Sequence, residues 1–134
     1  MGRSRTSAKN KNLTMEITKY ADKAMTTCLP TCETPLYMMG LLHEEAGELQ
    51  GKHNKALRKG LIDYKDNQMI FNGTFEEQMA WEEELKKELG DVMWAVAGIC
   101  HVFRWDIEAV AQGNLDKLAS RQQRGVIDGS GDNR

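Results

Sequence analysis

The sequence predicts an all-α protein of the four-helix-bundle type, completed by oligomerisation. Three observations predict it. Four stretches carry apolar residues at three- and four-residue steps. Helix start and stop residues sit at their ends. No stretch makes a credible strand, and helices without strands must pack on one another. The 134 residues suit one domain with one core. Hydrophobic residues make up 40% and charged residues 28%, the balance of a soluble globular chain. Aromatics, at 7%, are sparse for a compact β sandwich.

The elements follow in order. Residues 1–12 hold Arg3, Arg5, Lys9 and Lys11 among Ser, Thr and Asn. They read as a flexible, solvated basic arm rather than a nucleic-acid patch. A helical domain spans 13–124. Its first helix is expected from about Leu13 to Thr27, with Leu13, Ile17, Tyr20 and Ala24 on one face. Leu29-Pro30 and Thr-Cys-Glu-Thr break it. Thr34 is a good N-cap and Pro35 is pre-organised for the first helical position. The second helix is expected to run to Lys59, with Gly60 as its left-handed stop. Its apolar stripe is Met38, Leu41, Leu42, Leu49 and Ala56.

Residues 60–74 lack helical periodicity and read as a connecting loop, with a short extended pair around Met69–Phe71 and a turn at Asn72-Gly73. Thr74-x-x-Glu77 is a capping box that opens the third helix. Leu85, Leu89, Val92, Val96, Ile99 and Phe103 form its seam, repeating close to every 3.5 residues. Asp106 caps a fourth helix, whose face is Ile107, Val110, Ala111, Leu115 and Leu118. Gly113 weakens it by about 1 kcal/mol relative to Ala. Residues 125–134 form a glycine-rich tail.

The bulk numbers exclude some partners. A formal net charge of −2 shows no demand for a nucleic-acid polymer. No apolar h-region follows the basic start, and no run approaches the roughly 20 residues that span a bilayer. A cytoplasmic protein with no membrane partner is expected. Three cysteines fit reduced thiols there. Cys28-x-x-x-Cys32 with Cys100 and His101 is a weak metal pattern with Pro30 inside it, so buried or incidental thiols are expected.

The informative feature is the placement of four acids. Each helical residue turns the wheel by about 100°. Glu45 falls in the middle of the second helix's apolar stripe, and Glu48 lies one turn on, at its edge. Glu88 flanks the seam of the third helix, with Asp91 a further turn along the same flank. Carboxylates three apart share a face. Four of them converging on a bundle interior need compensation, because buried unpaired charges cost several kcal/mol each, roughly. They can protonate, pair with Lys52, Lys55, Lys117 or Arg121, or bind cations. The placement favours cations, and all-oxygen ligation suits Mg²⁺ or Mn²⁺. Glu82, Glu83, Glu84, Lys86 and Lys87 read instead as an ordinary solvated face. No Glu stands three residues before His43, His53 or His101, which argues against a di-iron bundle. His43-Glu44 has no second His four residues on, so there is no zinc HExxH. An acid-only magnesium site points to phosphoryl chemistry.

GLLHEEAGELQGKHNKALRKG (40–60) resembles the first motif of MazG-like nucleoside triphosphate pyrophosphohydrolases. ELGDVMW (88–94) resembles the second, and NLDKLASRQQRG (114–125) resembles the family's C-terminal segment. The GSGDNR ending is similar to that of short single-domain members, so the likeness covers residues 36–134. The spacer between Glu48 and Glu88 departs from compact relatives by its length, with the excess in 60–74. The resemblance implies an all-α fold and hydrolysis of an NTP or dNTP to the monophosphate and pyrophosphate. It implies metal ligands at Glu45, Glu48, Glu88 and Asp91, with Glu45 or Glu48 also orienting or deprotonating the water. It tilts Asn114, Lys117 and Arg121 toward substrate contact. Lys52 and Lys55 are read either as phosphate contacts or as helix-surface ion pairs. Arg134, beyond the glycines, is a further candidate for phosphate. A homodimer or homotetramer is expected. Candidate base-stacking residues are Tyr37, Phe71, Trp81 and Trp94, with the two tryptophans favoured for core or interface. The competing readings are a phosphoribosyl-ATP pyrophosphohydrolase, and a non-catalytic helical interaction or metal-sensing module with a methionine surface of Met38, Met39, Met69 and Met79.

Overall fold

The structure, a computed structural model, describes residues 15–131. The basic arm, Leu13 and Arg134 lie outside the described residues. Four α-helices are present: α1 (Ile17–Met25), α2 (Pro35–Arg58), α3 (Phe75–Phe103) and α4 (Ile107–Gln123). A 3-10 turn, Pro30–Cys32, forms the expected break between α1 and α2. A two-stranded antiparallel hairpin, β1 (Ile62–Lys65) and β2 (Gln68–Phe71), joins α2 to α3. No helix among the described residues is long and apolar enough to cross a membrane.

Local chemistry sets the helix ends. The Thr34 hydroxyl accepts from the Tyr37 amide, with Pro35 at the first helical position. Gly60 takes φ +71° just past the end of α2, a conformation that only glycine adopts at no steric cost. At α3, Thr74 and Glu77 exchange both bonds of the capping box. That box requires Gly73, where a Cβ would collide with the Glu77 carboxylate. Asp106 caps α4 by accepting from the Glu108 amide. α1 is shorter than expected. After Met25, the Thr26 and Thr27 hydroxyls bond back to the carbonyls of Lys23 and Ala24 and close the helix.

The connection, read as a loop with a short extended pair around Met69–Phe71, is a hairpin whose β2 contains that pair. Both turn residues, Asp66 and Asn67, have positive φ, matching a tight hairpin turn. Ile62 is buried beneath it, and Phe71 meets the Trp81 ring at 5.9 Å between centroids. His53 Nε2 and the Tyr64 hydroxyl, 2.8 Å apart, tie the hairpin to α2.

The α2–α3 pair is the centre of the molecule. Its contacts run antiparallel. Met38 faces Gly98, Glu48 faces Glu88, and Lys52 faces Glu84. These steps, ten and then four residues on both helices, are those of a packing seam. Met38 is fully buried, so it belongs to the core and not to a methionine surface; Met39, Met69 and Met79 are exposed. Gly98 makes the close approach feasible, since a Cβ there would overlap the Met38 thioether.

The buried face of α3 also differs from the expected one. Glu88, Ala95, Ala97, Gly98 and Cys100 are buried, whereas Leu89, Val96 and Phe103 stay exposed. Small residues let α1 and α2 approach the α3 backbone, and Leu85, Val92 and Ile99 of the expected seam are half-buried. α4 packs on α1, and its Ile107 joins Ala97 and Cys100 in a cluster with Tyr20, Ala21 and Met25. Val110, Leu115 and Leu118 of its expected core face are exposed.

Replacing Gly98 by Val should destabilise the fold by about 2–3 kcal/mol through overpacking against Met38. Urea unfolding checks this. Adding Met38→Ala should return part of the loss, giving a non-additive pair.

Candidate metal centre

The carboxylate site is a segment of the α2–α3 seam where apolar residues would ordinarily sit. Glu45 is half-buried and Glu48 is exposed at the edge of the α2 stripe, as the wheel places them. Glu88 is buried, at 9% exposure, on a helix that Thr74 and Glu77 start in fixed register. One oxygen from each of Glu45, Glu48 and Glu88 lies within 4.8 Å of the others. Among the described residues, this is the group of His, Cys, Asp or Glu side chains gathered closely enough to share an ion. Asp91 is exposed outside that trio, yet its charge acts on both Glu45 and Glu48.

The electrostatics record crowding. Burial first, then the charges of Glu48, Asp91, Glu44 and Glu88, raise the Glu45 carboxyl above the usual carboxylate range. Glu48 is raised first by a side-chain hydrogen bond with Glu88 and then by that residue's charge. A divalent cation among these carboxylates would relieve that crowding. The donors are all oxygen, which suits a hard divalent ion such as Mg²⁺ or Mn²⁺. By chemistry and spacing, the residues present fit such an ion.

Two lysines stand beside the acids. Glu48, Gly51, Lys52, Lys55 and Glu88 line a cleft of about 330 Å³. The Lys52 ammonium lies 3.3 Å from Glu84 and 3.3 Å from Glu88. Glu84 therefore does not belong wholly to the solvated face; it reaches across the interface from one turn before Glu88. The wheel of α3 alone could not reveal this, because the partner sits on another helix. Lys86–Glu83 and Lys87–Glu84 are surface pairs, as expected of that face.

The remaining candidates are dispersed. Asn114 and Lys117 are exposed on α4, which touches α2 and the carboxylate stretch of α3 at most slightly. Arg121 is buried, and its Nη2 donates to the Gly131 carbonyl at 3.5 Å, so it holds Gly131 against α4. Trp94 Nε1 donates to the Ala24 carbonyl and the Thr27 hydroxyl, and Trp81 packs on Phe71; both serve packing. Tyr37 hydrogen-bonds with the Cys32 thiol and feels Glu44 and Glu45. All three cysteines are free thiols, with Cys100 buried.

A larger cleft, about 950 Å³, opens at the far end of α3 between α1 and the start of α4. Glu33, His101, Arg104 and Trp105 line it, and it contains none of the four acids. His101 pairs with Glu33 at 2.6 Å rather than joining a cysteine site.

Comparison with known proteins bears on this geometry. The model of the family described as "MazG nucleotide pyrophosphohydrolase domain" matches residues 33–126, from just before α2 to just past α4. The "Gene 37 protein" of Mycobacterium phage L5 is 45% identical over 98 residues, 72% of each chain. Its name states no activity. No solved structure matches.

Glu48→Gln should raise the melting temperature of the metal-free protein at pH 7. The sign follows from the raised carboxyl. Below the unfolded pKa both states are protonated and the variant gains nothing. As pH rises through the folded pKa, ionisation destabilises the native wild type but not the amide. Scanning calorimetry from pH 3.5 to 8 should show the gap open with pH, and Mg²⁺ should close it by stabilising the wild type more.

Proposed function

The chain belongs to the MazG nucleotide pyrophosphohydrolase family, and on that premise we propose that it hydrolyses nucleoside or deoxynucleoside triphosphates to the monophosphate and pyrophosphate, with Mg²⁺ as cofactor and Mn²⁺ as a substitute. The observation that carries the proposal is the acidic trio of Glu45, Glu48 and Glu88, convergent within 4.8 Å on two packed helices. Family membership supports a divalent-metal-dependent hydrolase that binds a nucleotide.

Glu45, Glu48, Glu88 and Asp91 would hold the metal. A divalent cation there supplies Lewis-acid chemistry: it activates water and neutralises phosphate charge. Glu45 or Glu48 orients or deprotonates the attacking water. Lys52 and Lys55, walling the same cleft, meet the polyphosphate charge. Asn114, Lys117, Arg121 and Arg134 are proposed as further substrate contacts on the strength of the resemblance. Because α4 leans on α1, the α4 contacts require a nucleotide that bridges outward or an α4 supplied by a second copy.

Assembly as a homodimer or homotetramer belongs to the same proposal. Leu89 is 50% exposed and Leu115 59%, and Val96, Phe103, Val110 and Leu118 are likewise exposed on the two long faces. That much uncovered apolar surface on adjacent helices fits a subunit contact.

Pyrophosphate release should be detected with at least one member of a panel of NTPs and dNTPs in the presence of Mg²⁺. It should vanish with chelator and return with Mn²⁺. Glu48→Gln should lower kcat by at least about a hundredfold while leaving the circular dichroism helical. No turnover with any nucleotide at high enzyme concentration would defeat the enzyme reading. Light scattering after size exclusion should show a dimer or tetramer, and Val96→Lys should shift it toward monomer; a wild-type monomer would remove the assembly claim.

A further inference from the structure

Lys52 stands out because its position serves two demands that conflict. Its ammonium lies equally close to Glu84 and Glu88, at 3.3 Å from each. Glu88 is one of the three acids whose oxygens converge, and Glu84 is not. The two acids sit one helical turn apart on α3, so their carboxylates form adjacent stations along one groove wall. Lys52 arises from α2, four residues after Glu48, and its side chain is 38% exposed. A four-carbon stem with a half-exposed ammonium can swing between such stations at little cost.

The charge count changes when a dication arrives. Without it, Lys52 partly neutralises Glu88 inside a crowded acidic cluster. With it, Glu88 shares its charge with the ion, and the Lys52 ammonium beside that carboxylate is repelled. The pairing of Lys52 then shifts from Glu88 toward Glu84. Glu84 keeps it beside the cleft that Lys52 and Glu88 line. Lys87 also reaches Glu84, at 2.7 Å, and holds that carboxylate in place from the outer side.

We propose that Lys52 is an exchangeable counter-ion. It occupies Glu88 in the metal-free protein, yields that carboxylate to the incoming divalent ion, and is retained by Glu84 so that its ammonium turns to the substrate polyphosphate. Glu84 is thereby a positioning residue, acting through Lys52 and not touching the ion. This rests on the reading of Glu45, Glu48 and Glu88 as a divalent-ion site in a nucleotide hydrolase. It adds to that reading an order of events and a residue outside the acidic motif.

The test separates the two claims. Mn²⁺ binding to the full chain without nucleotide is measured by the free-ion paramagnetic resonance signal, for wild type, Lys52→Gln, Glu84→Gln and the double variant. Nucleotide KM and kcat are measured in parallel. Lys52→Gln removes the competitor for Glu88, so Mn²⁺ should bind more tightly, by on the order of fivefold. Its KM should rise about tenfold with a smaller change in kcat, as for a lost phosphate contact. Lys52→Arg keeps the charge and should bind Mn²⁺ as the wild type does. Glu84→Gln leaves Lys52 to Glu88 alone, so Mn²⁺ should bind about threefold more weakly, and this effect should disappear in the Lys52→Gln background.

Tighter Mn²⁺ binding in Lys52→Gln, together with loss of the Glu84→Gln effect when Lys52 is absent, supports the exchange. Unchanged or weaker Mn²⁺ binding in Lys52→Gln overturns it and makes Lys52 a strut between helices. A Glu84→Gln effect that persists without Lys52 overturns the positioning role. A wild type that binds no Mn²⁺ defeats the divalent-ion reading and the exchange with it. A wild type that binds Mn²⁺ but turns over no nucleotide defeats the hydrolase reading and the polyphosphate step.

Discussion

Everything in this molecule depends on the antiparallel seam between α2 and α3. At one end, Met38 seats against Gly98 with no room for a side chain between. Two turns along, the same pair of helix faces presents Glu45, Glu48 and Glu88 to one another. Further on, Lys52 crosses to Glu84 and Glu88. One register thus sets an apolar lock, an acidic centre and a cationic closure in sequence. A slip by one turn on either helix would separate all three. The apolar end therefore has a role in the site: it fixes the distance between acids that repel each other.

That repulsion is a standing opposition between fold and site. Burial and neighbouring acids raise the Glu45 and Glu48 carboxyls, and they do so where a bundle would gain most from leucine. The structure offsets this locally. Lys52 contributes a positive charge, and the capping box anchors the start of the helix that carries Glu88 and Asp91. None of these devices is strong alone. Exposed ion pairs contribute at most about 1 kcal/mol, and a good cap about the same. Their placement around a single stretch of seam gives them their weight.

What was legible in the sequence was whatever is local. Thr34-Pro35, Thr74-x-x-Glu77 and Asp106 announce helix starts because the bonds they make lie within three residues. Glu45 in an apolar stripe and Glu88 beside one were legible because helical geometry is itself local. Of the hairpin only the extended stretch around Met69–Phe71 was legible, because the turn needs two positive-φ residues, and Asp66-Asn67 has no glycine to advertise it. Met38 could be read as core or as surface, and only the small residue opposite, sixty positions away, decides. Glu84 looked like one more solvated acid, since its partner belongs to another helix. The outward turn of Leu89 and Val96 was hidden for a related reason. A 3.5-residue repeat says that a face wants a partner, but not whether that partner lies in the same chain.

The hairpin between α2 and α3 has a consequence for how such a chain can vary. Its strands bond to each other, and its base is pinned by Ile62 and by the Phe71–Trp81 contact. The Asn72 amide closes that base by donating to the Leu61 carbonyl. The span between the two acidic helices is thus fixed below the tip, and Asp66-Asn67 lies beyond the last strand pair. Residues added or lost there would lengthen or shorten the ribbon without altering the distance that the base must bridge. The hairpin decouples spacer length from helix register, leaving the linker free to drift over generations while the acids it connects stay in step.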